Sequence, residues 1–243
     1  MQYHEYPPGA ALAGLVKAFW RLTADSGGPD WVEHRAVPDG CVELIRRLDG
    51  RSRWDGEQPG LFAVGLIEQP ASFEVGTGAR FAAVRLWPWI WSLLSPIPLD
   101  AIRGRWTAID APDLLALGDR LDNPESAGAD LAARLAPAEP ELRAAGLAIG
   151  EAGSVGEMRR ATGMSARALQ RWFERHVGVP PRRYLRMLRF QRAFADLSDG
   201  PSLAEHAFMH GFADQAHMAR EYRQLAGAPA RQTRRTSKGP FLR

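Results

Sequence analysis

Residues 164–178 read MSARALQRWFERHVG, and this stretch decides how the C-terminal part of the chain folds. Its apolar residues recur three or four positions apart, which is the spacing of side chains along one face of a helix. The buried stripe is Leu169, Trp172, Phe173 and Val177, and the opposite stripe is Arg167, Gln170, Arg171 and Glu174. A helix with one buried face leaves the polar stripe either in water or against a partner.

The helical unit that contains this stretch occurs twice between residues 154 and 232. Gly163 of the first copy pairs with Gly211, 48 residues later, and Gly178 pairs with Gly227 after one inserted residue. Each copy has a Ser followed three residues later by Glu, which is the capping box of a helix N-terminus. The expected N-caps are Ser154 and Ser202 for the first helices and Ser165 and Asp214 for the second helices. A short helix, a glycine turn and a longer helix together predict a helix-turn-helix motif.

The two parts of the chain differ in charge. Residues 151–243 contain 17 Arg and Lys against 8 Asp and Glu, a net charge of +9, whereas residues 1–150 contain 14 against 20, a net charge of −6. In a helix-turn-helix motif the second helix lies in the major groove, with its N-terminal side chains at base edges. Arg pairs there with guanine and Gln with adenine. The doubled motif and the basic C-terminal part therefore predict that the polar stripe contacts double-stranded DNA rather than water.

Between the two copies, residues 180–200 read PPRRYLRMLRFQRAFADLSDG. Two prolines suit the first turn of a helix, and the apolar residues that follow predict one long helix that fixes the spacing of the two units. Arg182, Arg186 and Arg189 share one face of this helix. The sequence leaves two interpretations of that face open, contacts with DNA phosphates or exposure to solvent.

Residues 154–232 resemble the DNA-binding domain of AraC/XylS-type transcriptional regulators. Two motifs carry the resemblance, S-x-R-x-L-Q-R-x-F-x-x-x-x-G-x-x-P-x-x-Y at Ser165–Tyr184 and GFADQAHMAREYR at Gly211–Arg223. The resemblance implies two helix-turn-helix subdomains joined by a linker helix, and RNA polymerase as a partner if the protein is an activator. The base-contacting residues that it implies are Arg167, Gln170, Arg171, Gln215, Ala216, Ala219 and Arg220. Thr233 stands where the family has an aromatic residue, which predicts a tail without fixed structure after it.

The N-terminal part contains short β-prone runs separated by Gly and Pro turns, a pattern that predicts a small barrel or sandwich. Residues 71–87, ASFEVGTGARFAAVRLW, predict a hairpin around a glycine turn. From Pro112 onward the pattern changes to short helices. The chain is therefore expected to be an α+β protein, with a β-rich domain at residues 1–136 and a helical DNA-binding domain at residues 137–243.

Residues 37–45, VPDGCVELI, resemble part of the cupin-like β domain that precedes this DNA-binding domain in some such regulators. The resemblance implies a sensor for a small-molecule effector. Seven tryptophans lie before residue 110, and aromatic-lined cavities commonly hold small organic ligands. Trp87, Trp89 and Trp91 alternate in WPWIW, so we expect them to share one face of an edge strand and to line a ligand pocket or a dimer interface.

Cys41, the single cysteine, follows the predicted Pro-Asp-Gly turn. It is either a small buried hydrophobe or an exposed nucleophile that accepts alkyl groups in a DNA-alkylation-responsive regulator. A third alternative is a DNA-binding protein without a sensor, whose N-terminal domain only forms a homodimer. A ligand-dependent thermal shift distinguishes a sensor from that alternative.

Other function classes find little support in the sequence. His4 and His34, the two histidines of the first 150 residues, lie far apart, so no metal site is expected, and neither a phosphate-binding loop nor a nucleophile elbow occurs. We therefore predict no catalytic residue, no cofactor and no enzyme. The single cysteine, the absence of a signal-peptide pattern and the short, proline-broken apolar run at residues 86–99 predict a cytoplasmic protein that does not enter membranes.

Overall fold

The computed structural model describes residues 1–136, 140–197, 202–238 and 241–242. Its N-terminal part consists of two antiparallel sheets, and its C-terminal part is mainly helical. This arrangement confirms the predicted α+β class. The predicted domain boundary between residues 136 and 137 adjoins residues 137–139, which lie outside the described ranges, and it stays a prediction.

The strands of the N-terminal part form where β-branched and aromatic residues alternate with polar ones between turns. Two further short strands follow the last helix. The strands are β1 (Gln2–Tyr6), β2 (Val16–Thr23), β3 (Trp31–Ala36), β4 (Val42–Asp49), β5 (Ser52–Arg53), β6 (Leu61–Val64), β7 (Ala71–Gly76), β8 (Arg80–Leu86), β9 (Trp106–Ala108), β10 (Ser237–Lys238) and β11 (Phe241–Leu242).

The six-stranded sheet has the order β1-β2-β8-β4-β6-β9, and the five-stranded sheet has the order β10-β11-β3-β7-β5. The hairpin predicted at residues 71–87 is therefore wrong in its pairing. A turn at Gly78 is present, but β7 pairs with β3 and β5, whereas β8 pairs with β2 and β4 in the other sheet. Crossing between the sheets gives β7 and β8 a partner on each side, so neither is left as an edge strand.

The helices begin mostly at prolines or at capping side chains, because both suit the first helical turn. The predicted N-caps of the two repeated units are confirmed, since each accepts a hydrogen bond from a backbone N–H of its helix. No helix within the described ranges has the length and apolar character that crossing a bilayer requires. The helices are α1 (Trp91–Leu94), α2 (Leu99–Ile102), α3 (Pro112–Gly118), α4 (Pro124–Leu135), α5 (Pro140–Glu151), α6 (Val155–Thr162), α7 (Ala166–His176), α8 (Pro181–Ala195), α9 (Leu203–Met209), α10 (Gln215–Leu225) and α11 (Ala230–Thr236).

The edge strand expected at WPWIW is wrong. Pro88–Ile90 form a 3-10 helix that continues into α1 at Trp91. A proline has no N–H to give to a strand ladder, and its fixed φ suits a helix start. Trp89 and Trp91 are fully buried and Trp87 is half-buried, so the three rings do not share one open face.

The tail predicted to lack fixed structure is regular where it is described, because its first residues complete α11 and later residues form β10 and β11. β11 pairs antiparallel with β3, with Phe241 opposite Ala36. The edge of β3 offers unpaired backbone groups that another strand can satisfy. A threonine in place of an aromatic residue at position 233 does not prevent this pairing. Residues 239, 240 and 243 of the tail lie outside the described ranges.

One apolar core joins the N-terminal part to the first repeated unit. It runs from the helix-facing side of the six-stranded sheet through Trp89 to α7 and α8. A second core lies between the two sheets, and a third lies inside the second repeated unit and includes Val37 of the N-terminal part. Members of the first core include Leu15, Val84, Trp89, Phe173, Tyr184 and Leu188.

Candidate nucleic-acid interface

The first helix-turn-helix unit consists of α6, a turn at Gly163 and α7. Ser154 Oγ accepts the Glu157 N–H at 3.1 Å, and the Glu157 carboxylate accepts the Gly153 N–H at 2.8 Å. The hydrogen bond from the Gly153 N–H, and then the one that Ser154 Oγ donates to Glu157 Oε1 at 3.0 Å, lower the pKa of Glu157, so a charged carboxylate stands at the helix N-terminus. Gly163 adopts φ +67°, the left-handed conformation that ends α6 and turns the chain toward α7.

The polar stripe of α7 faces away from the core, as predicted. Arg167 and Arg171 are exposed, while the opposite face of the helix is buried. Gln170 is half-buried, and its Nε2 donates a hydrogen bond to Glu174 Oε1 at 3.1 Å. The two arginines are therefore open to a partner, and Gln170 has to release or share one hydrogen bond before it contacts a base.

The second unit consists of α9, a turn at Gly211 and α10. Asp214 caps α10 by accepting the His217 N–H at 2.6 Å. Of the residues implied as base contacts, Gln215, Ala216 and Arg220 are exposed and Ala219 is half-buried. They share one helix face, opposite buried Met218 and Tyr222, so each of the two implied sets lies on one face of its own helix.

Arg186 of α8 is engaged within the protein. Its Nε donates to Glu221 Oε2 of α10 at 2.6 Å, and its Nη2 bonds the side chain of Gln224. Arg189 lies 3.9 Å from the same Glu221 oxygen, and the Glu221 side chain is only 12% exposed. Neither interpretation of the arginine face, phosphate contact or solvent, describes Arg186.

This anchor between α8 and α10 was missed by sequence reasoning, although a signal was present. Glu221 falls on the apolar side of α10, between Met218 and Leu225. A carboxylate on the buried face of a helix needs a cation nearby. Arg186 and Arg189, one turn apart on the neighbouring helix, satisfy that requirement.

The N-terminal part holds the first unit through aromatic contacts. The Trp89 ring centroid lies 6.0 Å from that of Trp172 on α7 and 6.4 Å from that of Tyr184 on α8. Tyr184 Oη donates to Gly40 O at 2.9 Å, and burial raises the pKa of this phenol, which keeps it a donor. Trp89, which we expected to line a ligand pocket, therefore packs against the predicted buried stripe of α7.

Two of the spaces that border the N-terminal part differ in chemistry. A cleft of about 470 Å³ lies between the β-rich part and α8, with Trp87, Lys17 and Arg192 in its wall. A smaller cavity of about 60 Å³ lies between the two sheets and is walled mostly by apolar side chains. Trp87 is therefore the member of the predicted tryptophan set that borders open space.

The structure contradicts the interpretation of Cys41 as a nucleophile. The residue is 3% exposed, and burial together with the Asp39 carboxylate raises the pKa of its thiol. A nucleophilic cysteine needs a lowered pKa and access to its partner. Cys41 is a small buried side chain, which was the other interpretation.

Residues 158–236 match a family described as a helix-turn-helix domain, and residues 4–107 match a domain of unknown function (DUF6597). The C-terminal third is an AraC-type helix-turn-helix domain. This match supports a DNA-binding transcription regulator, as the repeated unit predicted. The match at residues 4–107 assigns no activity to the N-terminal part.

Several solved structures are similar to this chain. An apo ToxT variant from Vibrio cholerae strain SCE256 is 11% identical, over 88% of this chain and 96% of that chain, with a TM-score of 0.45. ToxT from Vibrio cholerae O395, bound to (E)-4-(8-methylnaphthalen-1-yl)but-3-enoic acid, is 10% identical, over 96% and 98%, with a TM-score of 0.46. A probable AraC family transcriptional regulator from Rhodopseudomonas palustris CGA009 is 25% identical, over 40% and 96%, with a TM-score of 0.35. No curated protein matches this chain.

Proposed function

We propose that the protein is a sequence-specific transcriptional regulator whose two recognition helices, α7 and α10, read DNA bases and whose N-terminal domain responds to a small-molecule effector. One observation carries the DNA-reading proposal. Both second helices keep their polar stripe exposed while the opposite face is fixed in a core. Two such stripes held on one linker helix form a reading surface of defined spacing.

The two recognition helices differ in the readout that their side chains allow. In α7, Arg167 and Arg171 are forked donors suited to guanine, and Gln170 suits adenine. In α10, Gln215 and Arg220 offer hydrogen bonds, whereas the implied contacts Ala216 and Ala219 offer only methyl groups, which suit the methyl of thymine. We therefore expect the α7 half of the operator to be specified more sharply than the α10 half.

Affinity that does not depend on sequence is proposed to come from arginines outside the stripes. Arg159 and Arg160 on α6 and Arg175 and Arg223 on the second helices are exposed. Arginines that neutralise phosphates release counterions, so binding weakens steeply as salt rises. This sequence-independent term also fits the net charge of +9 on residues 151–243.

The effector is proposed to bind in the cavity between the two sheets. Its wall is largely apolar and includes Trp20 and Trp54, with Glu43, Ser52 and Gln58 as the polar groups. A small number of polar groups in an apolar wall is the usual composition of a ligand site. Trp87, at the cleft beside α8, remains a second candidate contact.

The decisive experiment selects bound sequences from random duplex DNA with the full-length protein. We expect an enriched site with two half-sites about one helical turn apart, because two recognition helices sit on one polypeptide. Enrichment of no sequence over competitor DNA at moderate salt contradicts the proposed function. A ligand screen by thermal shift then tests the sensor, since a ligand that binds the folded state raises the melting temperature.

A further inference from the structure

The turn at residues 38–41 is the place where the β-rich part contacts the linker helix α8. Pro38 O accepts a hydrogen bond from Gln191 Nε2 at 2.6 Å, and Gly40 O accepts one from Tyr184 Oη at 2.9 Å. At Gly40, φ is +75° and a Cβ would lie 3.2 Å from an α8 side chain, so glycine is required. A shift of this turn therefore acts directly on α8, which connects the two helix-turn-helix units.

The other side of the turn is held by Arg85. Its Nε lies 2.8 Å from Asp39 Oδ2 and 2.8 Å from Glu43 Oε1. Asp39 Oδ1 in turn accepts the Cys41 N–H at 2.9 Å, which fixes the carboxylate within the turn. The Arg85, Asp39 and Glu43 side chains are 4%, 12% and 14% exposed, so one buried guanidinium faces two buried carboxylates.

This cluster has more negative charge than its buried cation balances. Glu5 also lies 3.1 Å from Arg85, but its side chain is 44% exposed and is solvated. Lys17 Nζ donates to the Asp39 carbonyl at 3.4 Å and is directed at that oxygen rather than at a carboxylate. Burial raises the pKa of Glu43, and the Arg85 guanidinium opposes that rise. An under-compensated buried carboxylate favours a cationic partner.

Glu43 reaches the cavity between the two sheets. Glu43 stands opposite Arg85 in neighbouring strands, and Trp20 Nε1, from the next strand, donates to Glu43 Oε1 at 3.0 Å. Ser52 Oγ in the cavity wall is buried and has no hydrogen-bond partner among the described residues. The volume of about 60 Å³ gives room for a few waters or for a ligand of few heavy atoms. The apolar wall includes Leu22, Ile45, Phe62, Val75 and Phe81.

We propose that Glu43, Arg85 and Asp39 form a relay between this cavity and α8, and that the ligand is a small apolar amine in its protonated form. The inference rests on the proposed function, because it assigns the class of the effector and the route of the response. The ammonium donates to Glu43 and to Ser52 Oγ, and it competes with Arg85 for the Glu43 carboxylate. Arg85 then releases Glu43 and pairs with Asp39 alone, and a second cavity of about 30 Å³ along these three residues gives them room to move.

The class of ligand is tested on the full-length wild-type protein with isobutylamine, using isobutanol as a neutral molecule of the same shape. At neutral pH we expect the amine to raise the melting temperature and to change the affinity for the selected DNA site by about fivefold or more, the usual lower range of coupling between sites. The alcohol is expected to do neither. No response to the amine, or an equal response to both molecules, overturns the ligand class, and this comparison needs no variant.

The relay is tested by two substitutions and a control. Glu43→Gln removes the charge that binds the ammonium and is expected to abolish the amine-induced thermal shift. Asp39→Asn is expected to keep that shift and lose the effect of the amine on DNA affinity. Glu33→Gln, at an exposed position of β3, is expected to behave as wild type.

The outcomes separate the ligand site from the function. An amine-induced shift that survives in Glu43→Gln overturns the site, and an unchanged DNA response in Asp39→Asn overturns the relay. Circular dichroism shows whether each variant folds, and the wild-type comparison decides the ligand class if one does not. A wild-type protein that binds the amine but selects no DNA sequence contradicts the proposed function and leaves the amine site standing.

Discussion

Arg167 and Arg186 are both arginines on helical faces of the DNA-binding domain, yet their surroundings assign them different tasks. Arg167 is exposed at the N-terminal end of α7, where the recognition helix of such a motif meets base edges. Arg186 is bonded to Glu221 and Gln224 and holds α10 against α8. Charge alone does not separate these roles, but the partners of each guanidinium do.

Arg167→Ala and Gln170→Ala are expected to relax the preference for one or two base pairs of the selected site, each at a cost of about 1–3 kcal/mol in discrimination. The reason is that each side chain is proposed to make a paired hydrogen bond with one base. Repeating the DNA selection with each variant measures the loss. Arg175→Ala, in the last turn of the same helix, is the control and should weaken all sequences alike. Unchanged base preference in both variants would mean that the stripe is only a solvated face.

Arg186→Ala is expected to lower the free energy of unfolding by about 1–3 kcal/mol, because it leaves the Glu221 carboxylate buried without its hydrogen-bond partner. Denaturant unfolding of the full-length protein measures this change. Arg182→Ala, at an exposed position of the same helix, should stay within about 0.5 kcal/mol of wild type. Equal effects of the two substitutions would contradict the anchoring role of Arg186.

At the scale of single elements, each helix of the two units begins at a side chain that satisfies its first N–H groups. The second unit shows both halves of the capping box, since Ser202 Oγ accepts the Glu205 N–H at 3.2 Å and Glu205 Oε2 accepts the Ser202 N–H at 2.9 Å. These local bonds are what make the short helix α9 stable enough to position α10. They depend on neighbouring residues alone, which is why the sequence predicted them.

Ser202→Ala is expected to destabilise the protein by about 1 kcal/mol, the usual cost of losing an N-cap. The substitution leaves the Glu205 N–H without its acceptor at the start of α9. Denaturant unfolding monitored by far-ultraviolet circular dichroism checks the value. Ser92→Ala, at an exposed serine outside the two units, is the matched control and is expected to have an effect near zero.

The Glu205 carboxylate makes the same cap dependent on pH. The hydrogen bonds from Ser202 Oγ and the Ser202 N–H lower the pKa of Glu205 in the folded state. A lowered pKa adds stability above the ordinary glutamate value, and that stability is lost as the pH falls through the lowered value. In an unfolding series from neutral to acidic pH, the stability difference between wild type and Glu205→Gln should therefore shrink as the pH falls. A difference that is constant with pH would show that the carboxylate charge does not contribute to the cap.

Other elements could not be predicted from neighbouring residues. The run WPWIW alternates like a strand, but Pro88 begins a 3-10 helix whose Trp89 packs against α5, α7 and α8. The turn at Gly78 was predictable, whereas the assignment of β7 and β8 to different sheets depends on strands that lie far away in sequence. Local chemistry predicts caps, turns and helix faces, and it does not determine which distant face covers an apolar side chain.

The whole molecule is organised around an apolar core that crosses from the β-rich part into the first helix-turn-helix unit. Trp89 occupies the crossing point, with its Nε1 donating to Gly14 O at 2.8 Å and its ring against Trp172 and Tyr184. Because α7 is packed on this residue, the position of the recognition helix depends on the fold of the N-terminal part. Such coupling is what a regulator needs if an event among the strands is to change how DNA is read.

Trp89→Ala is therefore expected to destabilise both parts of the molecule together, by about 3–5 kcal/mol, the range for removing a large buried aromatic side chain. Unfolding followed by tryptophan fluorescence and by far-ultraviolet circular dichroism should give one coincident transition in wild type and in the variant, shifted to lower denaturant in the variant. Trp31→Ala, at a half-buried ring stacked by Arg51 and Arg53 on the other sheet, should shift the transition much less. Two separate transitions, of which Trp89→Ala moves only that of the strands, would show that the DNA-binding part folds independently and that the shared core does not couple the two.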